Sequence, residues 1–73
     1  MILNNEILIK FGMKIKQWRN ENSYSQVDLA SEVGFNISYI RLIEAGQINI
    51  SFLRLLRLSK VMGVRPEELV KDL

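Results

Sequence analysis

The sequence predicts an all-α domain of five helices. Apolar residues recur at spacings of three and four, glycines follow several of these runs, and no alternating run or hairpin turn pair indicates a strand. The chain has 73 residues, of which 48% are hydrophobic, enough for one small core. We therefore expect residues 1–73 to form a single domain, with helices at about 5–22, 26–33, 37–45, 51–62 and 66–72.

The first helix is predicted to begin near Asn4 or Asn5, since the side chain of either residue can cap a helix. It is predicted to end near Asn22. Residues at spacings of three and four give it one apolar stripe, formed by Leu8, Phe11, Ile15 and Trp18, with Ile7 widening it. We expect Trp18 to belong to the core rather than to a binding surface.

Residues 25–46 predict two short helices joined by a tight turn. Ser25 fits the first N-cap and Asp28 completes a pattern close to a capping box, while Gly34 can end this helix in the left-handed conformation. Asn36 fits a second N-cap, and Gly46 a second stop. The predicted apolar positions are Val27, Leu29, Ala30 and Val33, then Ile37, Ile40 and Ile43. Helices this close must cross steeply, which is helix-turn-helix geometry and leaves the outer face of the second helix free.

Two further helices are predicted after a loop that follows residue 46. Asn49 or Ser51 can cap the fourth helix, and Gly63 ends it. Pro66, followed by two glutamates, suits the first turn of the fifth helix. The apolar positions are Phe52, Leu55, Leu58 and Met62, with Ser59 in the same stripe, then Leu69, Val70 and Leu73.

Composition excludes several classes of function. The chain has no cysteine and no histidine, which removes disulfides and the usual zinc ligand sets. Ser25, Ser38 and Ser51 have no histidine to activate them, and no glycine-rich phosphate loop or paired carboxylates are present. We expect neither an enzyme nor a bound metal, cofactor or small-molecule ligand.

Charge and hydropathy indicate where the chain acts. No run approaches the roughly 18 apolar residues of a membrane span, and the first ten residues do not resemble a signal peptide, so we expect a cytoplasmic protein. Residues 1–65 carry nine basic and five acidic side chains, whereas residues 66–73 carry one and three. A positive body with an acidic end is compatible with a polyanionic partner, although a solvated surface of mixed charge fits it equally.

Four segments follow one another between Phe11 and Leu69: G-M-K-I-K-Q-W-R-N-E, Y-S-Q-V-D-L-A-S-E-V-G, S-Y-I-R-L-I-E-A-G and L-L-R-L-S-K-V-M-G-V-R-P-E-E-L. Over this range the chain resembles the Cro/lambda-repressor-like (Xre-type) helix-turn-helix family. The resemblance implies a five-helix, lambda-repressor-like DNA-binding domain. The chain also resembles the controller proteins of restriction–modification systems in its small size and in the segment N-I-S before the fourth helix.

The resemblance implies roles for particular residues. Arg19 and Glu44 match a partly buried salt bridge of the family, and Gln26 matches a glutamine that contacts a phosphate and braces the second helix of the motif. The residues expected to bind DNA are Ser25, Gln26, Asn36, Ile37, Ser38, Tyr39, Arg41, Leu42, Gln47, Asn49 and Ser51.

This chain departs from the family at three places. Ile37 and Leu42 stand where relatives often carry hydrogen-bonding side chains, so each is expected to contact a thymine methyl at most. The loop after Gly46 has no Lys or Arg, and phosphate binding there would depend on polar side chains and helix-start amides. Arg65 stands where a serine or threonine would cap the fifth helix.

Surplus apolar residues predict a protein interface. Leu53, Leu56, Val70 and Leu73 lie off the main stripes and are expected to form a homodimer interface, the alternative being a monomer with a slightly apolar surface. The sequence thus favours a homodimeric transcriptional regulator, for instance a repressor, that binds a palindromic operator in double-stranded DNA. The alternative is an antitoxin-like protein-interaction module whose DNA binding is secondary.

Overall fold

Five helices make up most of residues 4–73, the part of the chain that this computed structural model describes, and no strand occurs in that range. The predicted all-α class and its helix-turn-helix are confirmed. The signal-peptide prediction rests partly on residues 1–3, which lie outside the described residues. The helices are α1 (Asn4–Glu21), α2 (Gln26–Val33), α3 (Ile37–Glu44), α4 (Phe52–Met62) and α5 (Pro66–Val70).

The helix ends follow from local residue chemistry. Ser25, Asn36 and Ser51 each accept a hydrogen bond from a first-turn amide, and they begin α2, α3 and α4 as predicted. Gly34 and Gly63 end α2 and α4 at positive φ. These caps explain why the predicted boundaries lie within two residues of the observed ones.

Several helix ends differ from the prediction, most of them by one residue and the end of α5 by two. The described part of α1 starts at Asn4, so Asn5 lies within the helix and does not cap it, while the alternative cap at Asn4 involves a side chain outside the described residues. Helix α5 ends at Val70 instead of continuing to residue 72, because Lys71 is extended (φ −63°, ψ 135°) and Asp72 has a φ of 61°. Arg65 makes no side-chain cap for α5, as its residue type predicts.

One apolar core joins all five helices. Ser59 is also buried, and its hydroxyl donates to the Leu56 carbonyl oxygen at 2.8 Å, so this buried hydroxyl has a partner. Trp18 lies at the edge of the core, with its ring centroid 5.3 Å from that of Tyr24. The buried apolar residues are Phe11, Ile15, Leu29, Ala30, Val33, Ile40, Ile43, Leu58, Met62 and Leu69.

Two predicted core positions are wrong. Val27 is 60% exposed, because it lies about 110° around α2 from the middle of the face formed by the buried Leu29, Ala30 and Val33. Phe52 is 70% exposed, because it is the first residue of α4 and extends beyond the core. Both errors concern the first turn of a short helix, where an apolar residue satisfies the spacing without reaching the interior.

Helix α1 packs very closely against the end of α3. A Cβ atom added at Gly12 would lie 2.3 Å from the Ile43 carbonyl oxygen, and one at Gly46 would lie 2.6 Å from the Ile9 side chain. Glycine at these positions lets the two backbones approach each other. As a result, the position of α3 depends on direct backbone contact with α1.

Candidate nucleic-acid interface

Helix α2 begins with a complete capping box. The Ser25 backbone N–H donates to Asp28 Oδ2 at 2.9 Å, and the Asp28 backbone N–H donates to Ser25 Oγ at 2.9 Å. The hydrogen bond from the Ser25 backbone N–H, followed by the one with its side chain, lowers the pKa of Asp28 below its usual 3.8. Ser25 itself is exposed at this helix start, where first-turn amides and the helix dipole favour an anion.

A partly buried polar network joins α1, α2 and α3. Arg19 Nε lies 2.7 Å from Glu44 Oε2, and Arg19 Nη2 lies 3.0 Å from Glu44 Oε1. Arg19 also donates to the Tyr24 carbonyl oxygen at 3.0 Å, and Gln26 Nε2 donates to Glu44 Oε1 at 3.1 Å. The hydrogen bond to Glu44 raises the pKa of Arg19 further above its already high ordinary value. The ion pair expected from the resemblance is thus present, and Gln26 braces the end of α3.

The outer face of α3 is exposed and mostly polar. Ser38 and Arg41 are exposed, and Leu42 is 38% exposed, while Ile40 and Ile43 on the opposite face are buried. This face is held in a fixed orientation, since the inner face of the same helix belongs to the core.

Asn36 and Ile37, at the start of α3, are less available for contact with DNA than the residues of the outer face. Asn36 Oδ1 accepts from the Ser38 backbone N–H at 2.8 Å, so its side chain caps the helix while remaining exposed. Ile37 is half-buried and packs against the core. A contact from Ile37 to DNA would therefore involve only its outer edge.

Tyr39 lies on the side of α3 that faces α4. Its ring is half-buried, with its centroid 5.2 Å from that of Phe35 in an edge-to-face arrangement. The Arg54 guanidinium carbon lies 4.8 Å from the Tyr39 ring centroid, and that of Arg57 lies 5.8 Å from the Phe35 centroid. Such cation–π contacts contribute about 0.5–1 kcal/mol each at exposed sites. We refer to Phe35, Tyr39, Arg54 and Arg57 as the basic–aromatic cluster.

The sequence alone predicts no role for Arg54 and Arg57 beyond their positive charge. Two arginines three residues apart lie on one side of a helix, and this spacing was the available signal. The aromatic partners that bring them beside α3 come from the turn and from α3 itself, so only the folded chain shows the cluster.

The loop between α3 and α4 carries the remaining residues expected to bind DNA. Gln47, Asn49 and Ser51 are exposed. The Ser51 hydroxyl accepts a long hydrogen bond, 3.3 Å, from the Arg54 backbone N–H. Ser51 therefore caps α4, and Asn49, the other candidate, does not.

The four residues predicted to form a dimer interface differ in exposure. Leu53 is 76% exposed and Val70 47% exposed, whereas Leu56 is half-buried. Leu73 is half-buried and packs against the core of its own chain. Phe52, 70% exposed beside Leu53, adds to the apolar surface at the start of α4.

Other kinds of site have little support within the described residues. Residues 4–73 contain no group of three or more acidic, histidine or cysteine side chains placed to hold a metal ion. No helix in that part of the chain has both the length and the hydropathy required to span a bilayer.

A tight pair of crossing helices, with a fixed and exposed polar face on the second, defines a DNA-binding transcriptional regulator of the helix-turn-helix class. A family model described as helix-turn-helix matches residues 15–69, and the chain belongs to this family.

Known relatives agree with this assignment. The control protein C.BamHI of Bacillus amyloliquefaciens is 36% identical over 69 residues, which cover 93% of this chain and 85% of the relative. The crystal structure of the restriction-modification controller protein C.AhdI from Aeromonas hydrophila superposes with a TM-score of 0.82 at 35% identity, over 85% of this chain and 94% of that one. SinR, described as the master regulator for biofilm formation and solved in complex with DNA, superposes with a TM-score of 0.78 at 37% identity, over 84% and 98% of the two chains.

Proposed function

We propose that this DNA-binding transcriptional regulator is of the restriction–modification controller type and binds a palindromic operator as a homodimer. The controller assignment is supported by the similarity to C.BamHI and C.AhdI along nearly the whole chain. The observation that carries the mode of DNA binding is the exposed polar face of α3, which the core and the Arg19–Glu44 pair hold in place.

In this proposal α3 enters the major groove. Arg41 and Ser38 would contact base edges, and Leu42 would contact a thymine methyl. Ser25, Gln26 and the first-turn amides of α2 would hold one phosphate, and the loop residues Gln47, Asn49 and Ser51 would face others. Base contacts would then select the sequence, while phosphate contacts would set the orientation of the domain.

The dimer would form through α4 and α5, which pack against each other. Leu53 and Val70 supply the most exposed apolar side chains among the four predicted interface residues, and Leu56 and Leu73 would contribute their exposed edges. A two-fold axis there would present two copies of α3 to half-sites about one helical turn apart.

We further propose that residues 1–73 act as one domain without catalytic activity, and that the protein works in the cytoplasm, where its DNA target would be. The helix-turn-helix family is a regulator type, which supports the first statement.

A second candidate function is an antitoxin-like module that mainly binds another protein. The exposed side chains of Phe52 and Leu53 favour it, because a different protein could cover them as well as a second copy could.

One titration tests the regulator proposal against this alternative. Binding to a palindrome upstream of its own gene, and to the same bases in scrambled order, is measured between about 50 and 200 mM salt. The regulator proposal predicts tighter binding to the palindrome, and a fall of log K against log salt with a slope of several units. Equal affinity for both sequences, or no dependence on salt, would contradict it.

A further inference from the structure

We propose that the basic–aromatic cluster binds a backbone phosphate of the operator beside the start of α3. This inference rests on the proposed function and deepens it, because it identifies the cations that hold DNA on the α4 side of α3. The partner is the DNA backbone and not a base.

The proposal resolves a shortage of positive charge. The loop at residues 47–51 contains no Lys or Arg. Two arginines on α4 supply charge next to it, and both are exposed. Within residues 4–73 the ion pair that the structure records is Arg19–Glu44, so neither Arg54 nor Arg57 has a carboxylate partner there. An exposed guanidinium without a partner gains most from a phosphate, since no existing pair is broken.

The aromatic rings place both guanidinium groups. Arg54 lies over the Tyr39 ring and Arg57 over the Phe35 ring, at 4.8 and 5.8 Å from the centroids. A guanidinium carries five N–H donors, more than contact with one ring can occupy. The two arginines therefore keep donors available for phosphate oxygens, and ordering them costs less entropy on binding.

A surface pocket of about 170 Å³ opens at the cluster. Its walls come from the turn before α3, from α3 and from α4, so a phosphate there would contact both the helix-turn-helix and α4. The lining residues are Gly34, Phe35, Asn36, Tyr39, Arg54 and Arg57.

The start of α3 does not by itself provide this site. The Asn36 side chain already accepts from the Ser38 backbone N–H at 2.8 Å, which occupies one of the first-turn donors. The attraction for an anion thus comes from the arginine side chains, and their removal should abolish it.

The test compares the double variant Arg54→Gln/Arg57→Gln with Lys60→Gln, which removes an exposed charge at the far end of α4. Affinity for the operator and for its scrambled form is measured across a salt series. We expect the double variant to lower the salt slope by about 0.9 per lost phosphate contact, and to weaken both DNAs by the same factor. Lys60→Gln should leave the slope close to that of the wild type. The variant Arg54→Lys/Arg57→Lys should restore most of the slope, since charge alone governs counterion release.

The outcomes separate this inference from the proposed function. If the double glutamine variant keeps the wild-type slope of log K against log salt, the phosphate site is overturned while sequence-specific binding stands. The same holds if the variant unfolds at a lower urea concentration but keeps that slope. Loss of preference for the operator over its scrambled form would assign the arginines to base recognition and also overturn it. Absence of salt-dependent, sequence-selective binding in the wild type defeats both proposals.

Discussion

Arg19 and Glu44 form a two-point ion pair, with Arg19 Nε 2.7 Å from Glu44 Oε2 and Nη2 3.0 Å from Oε1. Their side chains are only 12% and 5% exposed. Since Gln26 donates to the same carboxylate, residues of α1 and α2 converge on the last residue of α3. This carboxylate therefore helps, together with the core and the backbone contact between α1 and α3, to orient the face that we propose to read DNA.

We expect Glu44→Gln to lower the free energy of unfolding by about 3 kcal/mol, because it leaves the Arg19 guanidinium largely buried without a counter-charge. Urea unfolding of the purified protein measures this. The control is Glu21→Gln, which removes an exposed carboxylate that accepts from Gln17 at 3.1 Å and should cost less than about 1 kcal/mol. Equal costs for the two variants would show that the pair contributes nothing beyond an exposed contact.

The capping box should make stability depend on pH. Because the pKa of Asp28 is lower in the folded chain than its ordinary 3.8, ionised Asp28 stabilises the fold above that pH, and this contribution disappears as pH falls through the folded pKa. Asp28→Asn, which cannot ionise, should thus be less stable than the wild type at pH 6, by a difference that shrinks below pH 3.8. Unfolding free energies at several pH values give the comparison. A difference that stays constant down to low pH would contradict the assignment.

The close approach of α1 and α3 predicts a severe effect at Gly12. Gly12→Ala would place a Cβ 2.3 Å from a backbone oxygen of Ile43, so the helices must separate, and we expect a loss of about 3 kcal/mol or failure to fold. Gly34→Ala meets no atom within 4 Å and carries only the cost of φ +76°, about 1 kcal/mol. Thermal unfolding of both variants decides, and the packing argument fails if Gly12→Ala is the milder of the two.

Most of the fold was predictable because caps and stops are local. Ser25, Asn36, Gly34 and Gly63 each satisfy or redirect the backbone within a few residues, so their effect is visible in the sequence itself. The family resemblance added the pairing of Arg19 with Glu44, which no local pattern indicates across 25 residues.

The faces of the helices were harder to predict. Helix α2 has only eight residues, and the spacing of Val27, Ala30 and Val33 predicts that they share one face. The residues that α2 buries in the core are instead Leu29, Ala30 and Val33. Tyr39 is among the residues expected to bind DNA, and the sequence does not show that its ring lies against Phe35 under Arg54. Both depend on where neighbouring helices pack, and that information is tertiary.

The proposed dimer interface predicts a change in oligomeric state. Leu53→Asp places a charge on a side chain that is 76% exposed in one chain and buried in the proposed dimer, so we expect monomers in sedimentation velocity. Met13→Asp is the matched control, since Met13 is 62% exposed on α1, outside the interface. An unchanged dimer in Leu53→Asp, or dissociation only in Met13→Asp, would move the interface elsewhere.

Arg41 is the exposed cation on the outer face of α3. If it contacts a base, Arg41→Ala should weaken operator binding by about 1–3 kcal/mol and relax the preference at one base pair of each half-site. Binding to a set of operators with single substitutions measures both effects. A uniform loss across all of these operators would instead assign Arg41 to the phosphate backbone.

Methylation interference on the operator tests most directly whether α3 reads the major groove. Guanine N7 lies in the major groove and adenine N3 in the minor groove, so a methyl group on each reports a different approach. We predict that N7 methylation blocks binding at two clusters about one helical turn apart, whereas N3 methylation between them has little effect. Interference confined to adenine N3, or absent from both positions, would contradict the account.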